Sequence, residues 1–181
     1  VPFDLSDAKI GIIHKDSYFL LPVCDELGRP LDVMTIRAQI ASLLNTSFVT
    51  PSQIASLAKI KRSALANLRS KLNPVLVNDL DNLKFAPILI STDTRSRALP
   101  LSELRQTERG VGSHALTIFD TGESFVFDQS HIFFDGAWGT ALSEIMTNEA
   151  LSWARYLSLL PSPVQPEMRL YTSLTLQLSP A

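Results

Sequence analysis

His131, Asp135 and Gly136 are the residues of this chain whose types and spacing could do chemistry. An imidazole changes its charge near physiological pH, so it can take a proton from a hydroxyl group and later return it. Asp135 follows four positions after His131, and across a tight turn its carboxylate could fix the ring tautomer or brace the turn. We expect Gly136 to allow a backbone conformation that a side chain would forbid. The pattern therefore marks His131 as a candidate general base.

A predicted strand hairpin and a predicted helix surround this triplet. Residues 114–119 and 125–130 are aromatic and β-branched, and the turn chemistry of residues 120–123 separates the two strands. After Gly136 the apolar spacing becomes that of one helix face, which we expect in the core. The members of this stripe are Trp138, Ala141, Leu142, Ile145 and Met146. The end of a strand thus brings His131 to a sheet edge, where a turn opens it toward a cleft.

The remaining periodicity predicts an α/β fold. The other predicted strands cover residues 9–14, 17–23, 87–92 and 169–178. The predicted helices cover residues 32–44, 53–72, 75–83 and, separated by an interruption at 147–149, 137–146 and 150–160. Asp32 is the expected N-cap of the first helix, and Asn73-Pro74 is expected to end the second. Residues 93–112 are expected to form a mobile connector with a short helix.

Composition limits the function classes. The 181 residues fit one domain, residues 1–181, with 45% hydrophobic and 19% charged residues. A net charge of -2 and a pI near 5.9 argue against binding nucleic acid by charge. No apolar run approaches the roughly 20 residues of a transmembrane helix, and no signal segment opens the chain, so we expect an intracellular location. With one cysteine and three histidines, we predict no metal site.

Other candidate residues are weaker. His14 follows an apolar strand and is interpreted as structural, and His114 is expected to be a partly exposed residue at the start of a strand. Cys24 lies near Asp25 and Glu26, without the positive surroundings that activate a thiol. Four arginines of the connector could meet phosphate groups, although a solvated connector is the favoured interpretation. They are Arg95, Arg97, Arg105 and Arg109.

The spacing His131-x-x-x-Asp135-Gly136, between a strand and a helix, resembles the active-site motif of the CoA-dependent acyltransferase superfamily. That superfamily includes chloramphenicol acetyltransferase, the condensation domains of peptide synthetases and the choline/carnitine acyltransferases. The order of elements along nearly the whole chain resembles the middle of a choline/carnitine O-acyltransferase. The turn at Gly28-Arg29-Pro30-Leu31 and the strand at residues 87–93 look like family segments.

A family helix with the pattern Arg-x-x-Trp-Ala-x-x-Arg-x-x-Leu has a counterpart here in which leucine replaces tryptophan. The matching residues are Arg62, Leu65, Ala66, Arg69 and Leu72. Ser130 stands where the family usually has glutamate before the histidine, which removes a carboxylate that could tune the base. Residues 111–116 keep little of the corresponding family segment. The resemblance therefore depends mainly on the His131 motif and on element order.

The resemblance implies a chloramphenicol-acetyltransferase-like half-domain, a mixed β-sheet with flanking helices. His131 would be the general base, and Asp135 and Gly136 would support its turn. The substrates would be a thioester of coenzyme A or of a carrier phosphopantetheine and a hydroxyl acceptor such as carnitine or choline, with no permanently bound cofactor. In the family, a second half-domain supplies the CoA site and oxyanion donors. Here it would come from the same gene product, another subunit or a symmetry mate.

Two function classes stay open. The first is an O-acyltransferase that works only with a second half-domain, and the complete set His131, Asp135 and Gly136 favours it. The second is a catalytically inactive acyltransferase-like scaffold or interaction domain, which Ser130 and the missing half favour. The arginines of the connector could meet the phosphates of CoA or of a carrier arm, but the sequence does not identify the CoA-binding residues.

Overall fold

The computed structural model describes residues 4–47, 52–53, 62–83, 86–93, 100 and 114–178. Its strands are β1 (Lys9–His14), β2 (Ser17–Pro22), β3 (Ile88–Ser91), β4 (Leu116–Asp120), β5 (Phe125–Gln129) and β6 (Thr172–Leu174). Its helices are α1 (Val33–Leu44), α2 (Arg62–Arg69), α3 (Pro74–Leu83) and α4 (Gly136–Leu157). The strands form one mixed sheet in the order β5-β4-β3-β1-β2-β6. The predicted α/β class, a mixed sheet with flanking helices, is confirmed.

Two hairpins and two parallel pairings build the sheet. β1 and β2 are antiparallel, joined by Lys15 and Asp16, both of which adopt positive φ in the two-residue turn. β4 and β5 form the second hairpin, and Gly122 takes a φ of 83° in its turn. Because β1, β3 and β4 are parallel to one another, their carboxyl ends lie at one sheet edge. The end of β5 lies at the opposite edge, since Gln129 pairs with Leu116 at the start of β4.

The central strands carry apolar residues on both faces. On one face, α1 packs through Leu43 against Ile12, Phe19 and Leu21, with Ile10, Ile36 and Ile40 at the margin. On the other face, α3 buries three leucines against Ile13, Tyr18 and Leu20. These leucines are Leu76, Leu80 and Leu83. Alternating side chains along β1 and β2 therefore serve two helical layers, as expected for strands covered on both faces.

The C-terminal strand is shorter than predicted. Residues 169–178 were expected to form one strand, but β6 covers Thr172–Leu174. Beyond it the Asp79 carboxylate accepts hydrogen bonds from the backbone N–H groups of Thr175 and Leu176, at 2.7 and 3.1 Å. Leu176 adopts a φ of 43° and is fully buried. The Asp79 side chain on α3 therefore accepts both N–H groups that follow the end of β6.

α4 differs from its prediction in two ways. It continues through residues 147–149, where an interruption was expected, and Thr147 donates its hydroxyl to the Ser143 carbonyl within the helix. The stripe expected in the core is largely exposed, with Trp138 at 72% and Ile145 at 59%. The side of α4 that faces the sheet contains Gly139, the buried residue of this helix, and Leu142 and Met146 of the stripe are partly buried there. Apolar spacing therefore identified only part of the face that the sheet covers.

Several predictions fall on residues outside the described ranges. The predicted helix 53–72 is present as α2, while its residues 54–61 lie outside the described part. The arginines of the connector, Arg95, Arg97, Arg105 and Arg109, also lie outside it. The same is true of the side chains of Arg62, Leu65 and Ala66. Among the described residues, no helix is both long enough and apolar enough to cross a membrane.

Candidate functional site

The candidate base His131 lies in a tight turn between β5 and α4. The backbone of Ser130 links this turn to the residue just before β4 and to the residues after His131. Its N–H donates to the Ala115 carbonyl at 2.9 Å, and its carbonyl accepts from the N–H groups of Phe133 and Phe134, at 2.9 and 3.1 Å. The His131 side chain is exposed and forms no hydrogen bond or ion pair with the residues that the structure describes. The turn therefore fixes the backbone of His131 and leaves its imidazole open to a ligand.

Asp135 is the N-cap of α4. Its backbone is extended, and its carboxylate Oδ1 accepts a hydrogen bond from the Trp138 N–H at 2.9 Å. This contact satisfies one of the free donors at the start of the helix. Of the two roles that the spacing allowed, bracing of the turn is the one with an observed contact. Within the described ranges, no hydrogen bond joins Asp135 to the His131 ring.

The expectation for Gly136 is wrong. Gly136 is the first residue of α4, its φ is not positive, and a Cβ placed on it would meet no atom within 4 Å. The turn does not require an unusual conformation here, because the Ser130 carbonyl and the Asp135 carboxylate already satisfy the donors that close it. Gly136 therefore supports the turn neither by backbone freedom nor by close approach.

Large exposed apolar side chains follow His131 in the chain. Ile132 and Phe133, the next two residues, are 64% and 57% exposed, and Trp138 in the first turn of α4 is exposed as well. Isolated apolar residues on a surface are ordinary, but here two large exposed ones in the turn are followed by a third at the start of α4, and exposed apolar groups that are this close in the chain are of the kind that other molecules cover. We call Ile132, Phe133 and Trp138 the apolar rim of His131.

His114 lies at the same sheet edge but is buried. Its Nδ1 donates to the Ala86 carbonyl at 2.9 Å, and only 8% of the residue is exposed. The prediction of a partly exposed residue was wrong, because the segment before β4 packs on Ala86, 28 positions earlier. Burial lowers the pKa of His114, although its bond to the Ala86 carbonyl acts in the opposite direction. The neutral form of the His114 ring is therefore favoured, and the residue has a structural role.

His14 lies at the opposite edge, at the carboxyl end of β1. Its Nδ1 is 2.8 Å from the Thr92 hydroxyl oxygen, and that hydroxyl donates to the Ile13 carbonyl at 3.1 Å. Because the Thr92 proton is used in this way, His14 must donate through Nδ1. Its Nε2 is buried without a hydrogen-bond partner among the described residues. The fold thus separates His14 from His131.

The sequence reasoning missed Gln129, the last residue of β5. Its side-chain amide donates to the Gly139 carbonyl at 2.7 Å and to the Ser143 hydroxyl at 2.9 Å, both on α4. A glycine inside a predicted helix was the available signal, since such a residue often marks a close approach.

Potential metal ligands and the cysteine are the remaining candidate groups. No group of three or more potential ligands is found in the part of the chain that the structure describes. Cys24 is a partly buried free cysteine in an isolated bridge with Pro30. In comparisons with known proteins, no family model and no curated protein matches this chain.

Proposed function

We propose that this chain carries the general base of an O-acyltransferase. His131 would accept the proton of a hydroxyl acceptor, such as that of carnitine or choline, while an acyl group moves from a thioester of CoA or carrier phosphopantetheine. The observation that carries this proposal is the exposed His131 ring, held between a strand end and a capped helix. The resemblance of the His131-x-x-x-Asp135-Gly136 spacing to the superfamily motif selects the chemistry.

The reaction would need one base and no acyl-enzyme. As the acceptor oxygen bonds to the thioester carbonyl carbon, its proton passes to a ring nitrogen of His131. The tetrahedral intermediate then collapses, the C–S bond breaks, and the same proton moves to the leaving thiolate. Holding both substrates at one imidazole would supply much of the rate increase, because it removes the entropic cost of a bimolecular encounter.

A second half-domain is part of the proposal. The negative oxygen of the intermediate requires hydrogen-bond donors, and the partner half would provide them together with the thioester site. The apolar rim of His131 supports this view, since a second domain closing over it would bury these side chains and exclude water. The rim thus fits the wall of a cleft whose other wall is a second half-domain.

Replacement of His131 by alanine tests the proposal directly. We expect His131→Ala to lower acyl transfer by at least about 10²-fold, because loss of a general base usually costs that much. Asn148→Ala, an exposed change on α4, is the matched control and should leave turnover unchanged. The assay follows thiol release from an acyl-CoA with a hydroxyl acceptor. Turnover of His131→Ala within a factor of two of the wild type would exclude the assignment.

The alternative, an inactive scaffold, has one observation in its favour. The Asp135 carboxylate caps α4, and Ser130 replaces the glutamate of the family, so the described residues supply no carboxylate to orient the His131 ring. If the complete assembly binds acyl-CoA without transfer, and His131→Ala does not change that binding, the scaffold function is correct.

A further inference from the structure

The hydrogen bonds between Gln129 and α4 form a closed set. One amide hydrogen of Gln129 goes to the Gly139 carbonyl and the other to the Ser143 hydroxyl oxygen. The Ser143 hydroxyl in turn donates to the Gly139 carbonyl at 3.1 Å. Each donor therefore has one acceptor, and the orientation of the amide is fixed because a carbonyl can only accept.

Gly139 makes this contact sterically possible. A Cβ atom on Gly139 would lie 2.0 Å from the Gln129 side-chain oxygen and 3.1 Å from its Cδ. Glycine is unfavourable within a helix, so its presence here needs a reason, and the Gln129 side chain fills the space that a methyl group would need. The glycine and the glutamine thus function as a pair.

This pair closes the loop that carries His131. Gln129 ends β5 two residues before His131, and Gly139 and Ser143 lie in the first two turns of α4. The Ser130 carbonyl and the Asp135 cap order the turn from within, while the Gln129 contact fixes the distance between its two supporting elements. We propose that Gln129 is a positioning residue for His131. This inference rests on the proposed function of His131 as a general base.

The first test removes the hydrogen bonds and keeps the volume. In the assembly that shows acyl transfer, Gln129→Met should lower kcat by about 10- to 100-fold, because small displacements of a reacting group can cost that much. The KM for the thioester should change less than threefold, since both amide hydrogens of Gln129 are used by α4 and the proposed role of Gln129 is to position His131. Ser143→Ala removes one acceptor and should give a smaller loss. Thr140→Ala, which removes a hydroxyl bonded only within α4, is the control that should retain full turnover.

A double-mutant cycle tests the steric part. Gly139→Ala alone should lower kcat about as much as Gln129→Met, because its methyl group displaces the amide. In a Gln129→Ala background the same change should cause no further loss, since the displaced side chain is absent. Equal losses from Gly139→Ala in both backgrounds would overturn the pairing.

A measurement independent of turnover separates this inference from the proposed function. Amide hydrogen exchange of residues 130–135 should accelerate in Gln129→Met and Gly139→Ala, but not in Thr140→Ala or His131→Ala. Unchanged exchange and unchanged kcat in Gln129→Met would overturn the positioning role even if His131 is the base. Conversely, full activity of His131→Ala with faster exchange in Gln129→Met would refute the general base while retaining the loop restraint.

Discussion

Asp79→Ala should destabilise the chain more than any other single loss of a carboxylate on α3. The Asp79 side chain is buried, and its Oδ2 accepts from the N–H groups of Thr175 and Leu176. Leu176 is buried, so its N–H left without an acceptor costs about 1–3 kcal/mol, while water can partly replace the acceptor of the exposed Thr175, and together they predict a loss of roughly 2–4 kcal/mol. Leu176 would also lose the contact that supports its positive φ. Such a loss is large beside the about 5–15 kcal/mol that stabilises an ordinary domain.

Urea denaturation of Asp79→Ala and wild type measures this difference. Asp81→Ala is the matched control, because Asp81 lies two residues further along α3 in a partly exposed ion pair with Arg69. Pairs of this kind contribute about 0–1 kcal/mol. Asp79→Asn keeps an acceptor oxygen, so its loss of unfolding free energy should lie between those of Asp79→Ala and Asp81→Ala. If Asp79→Ala and Asp81→Ala lower the unfolding free energy equally, the Asp79 contacts do not stabilise the C-terminal segment.

Two further predictions concern buried polar groups. Because burial lowers the pKa of His114, the unfolded chain takes up a proton that the folded chain resists. Stability should therefore be full above the ordinary histidine pKa of about 6.5 and fall as the pH drops below it, and His114→Gln should flatten this dependence in denaturation between pH 5 and 8. The Gln39 amide donates to the Met168 carbonyl and accepts from the Leu170 N–H. Gln39→Glu replaces the donor with an acceptor and should cost about 1–3 kcal/mol, whereas an unchanged melting temperature would contradict this geometry.

The sequence predicted well those elements that local chemistry determines. Lys15-Asp16 and Asp120 to Glu123 were recognisable as turns, so both hairpins were found. Asp32 was predicted to cap α1, and its carboxylate accepts from the Thr35 N–H at 2.9 Å. The end of β5 just before His131 was also predicted from local residues, the aromatic and β-branched run of residues 125–130. These features depend on residues a few positions apart, which a single sequence displays directly.

Features that depend on distant residues were not predicted. The short β6 depends on Asp79, and the burial of His114 depends on Ala86. The face of α4 turned to the sheet depends on Gln129, which sits against Gly139 where a larger side chain would be excluded. A periodic stripe shows only that a helix has two sides. Which of the two sides packs against the sheet is determined by contacts with distant residues, which form only in the folded chain.

The strand order has a consequence for how the chain reaches this fold. β2 pairs with β6, so Tyr18 meets Leu174, more than 150 positions later in the chain. Contacts between such distant residues close large loops, which slows folding because the entropy of the open chain is lost first. During synthesis the hairpin of β1 and β2 is made before β6, so the edge of β2 that pairs with β6 stays open until β6 has been translated. An open strand edge of this kind invites pairing with other chains. The interval between the synthesis of β2 and that of β6 is therefore one in which this chain is open to aggregation.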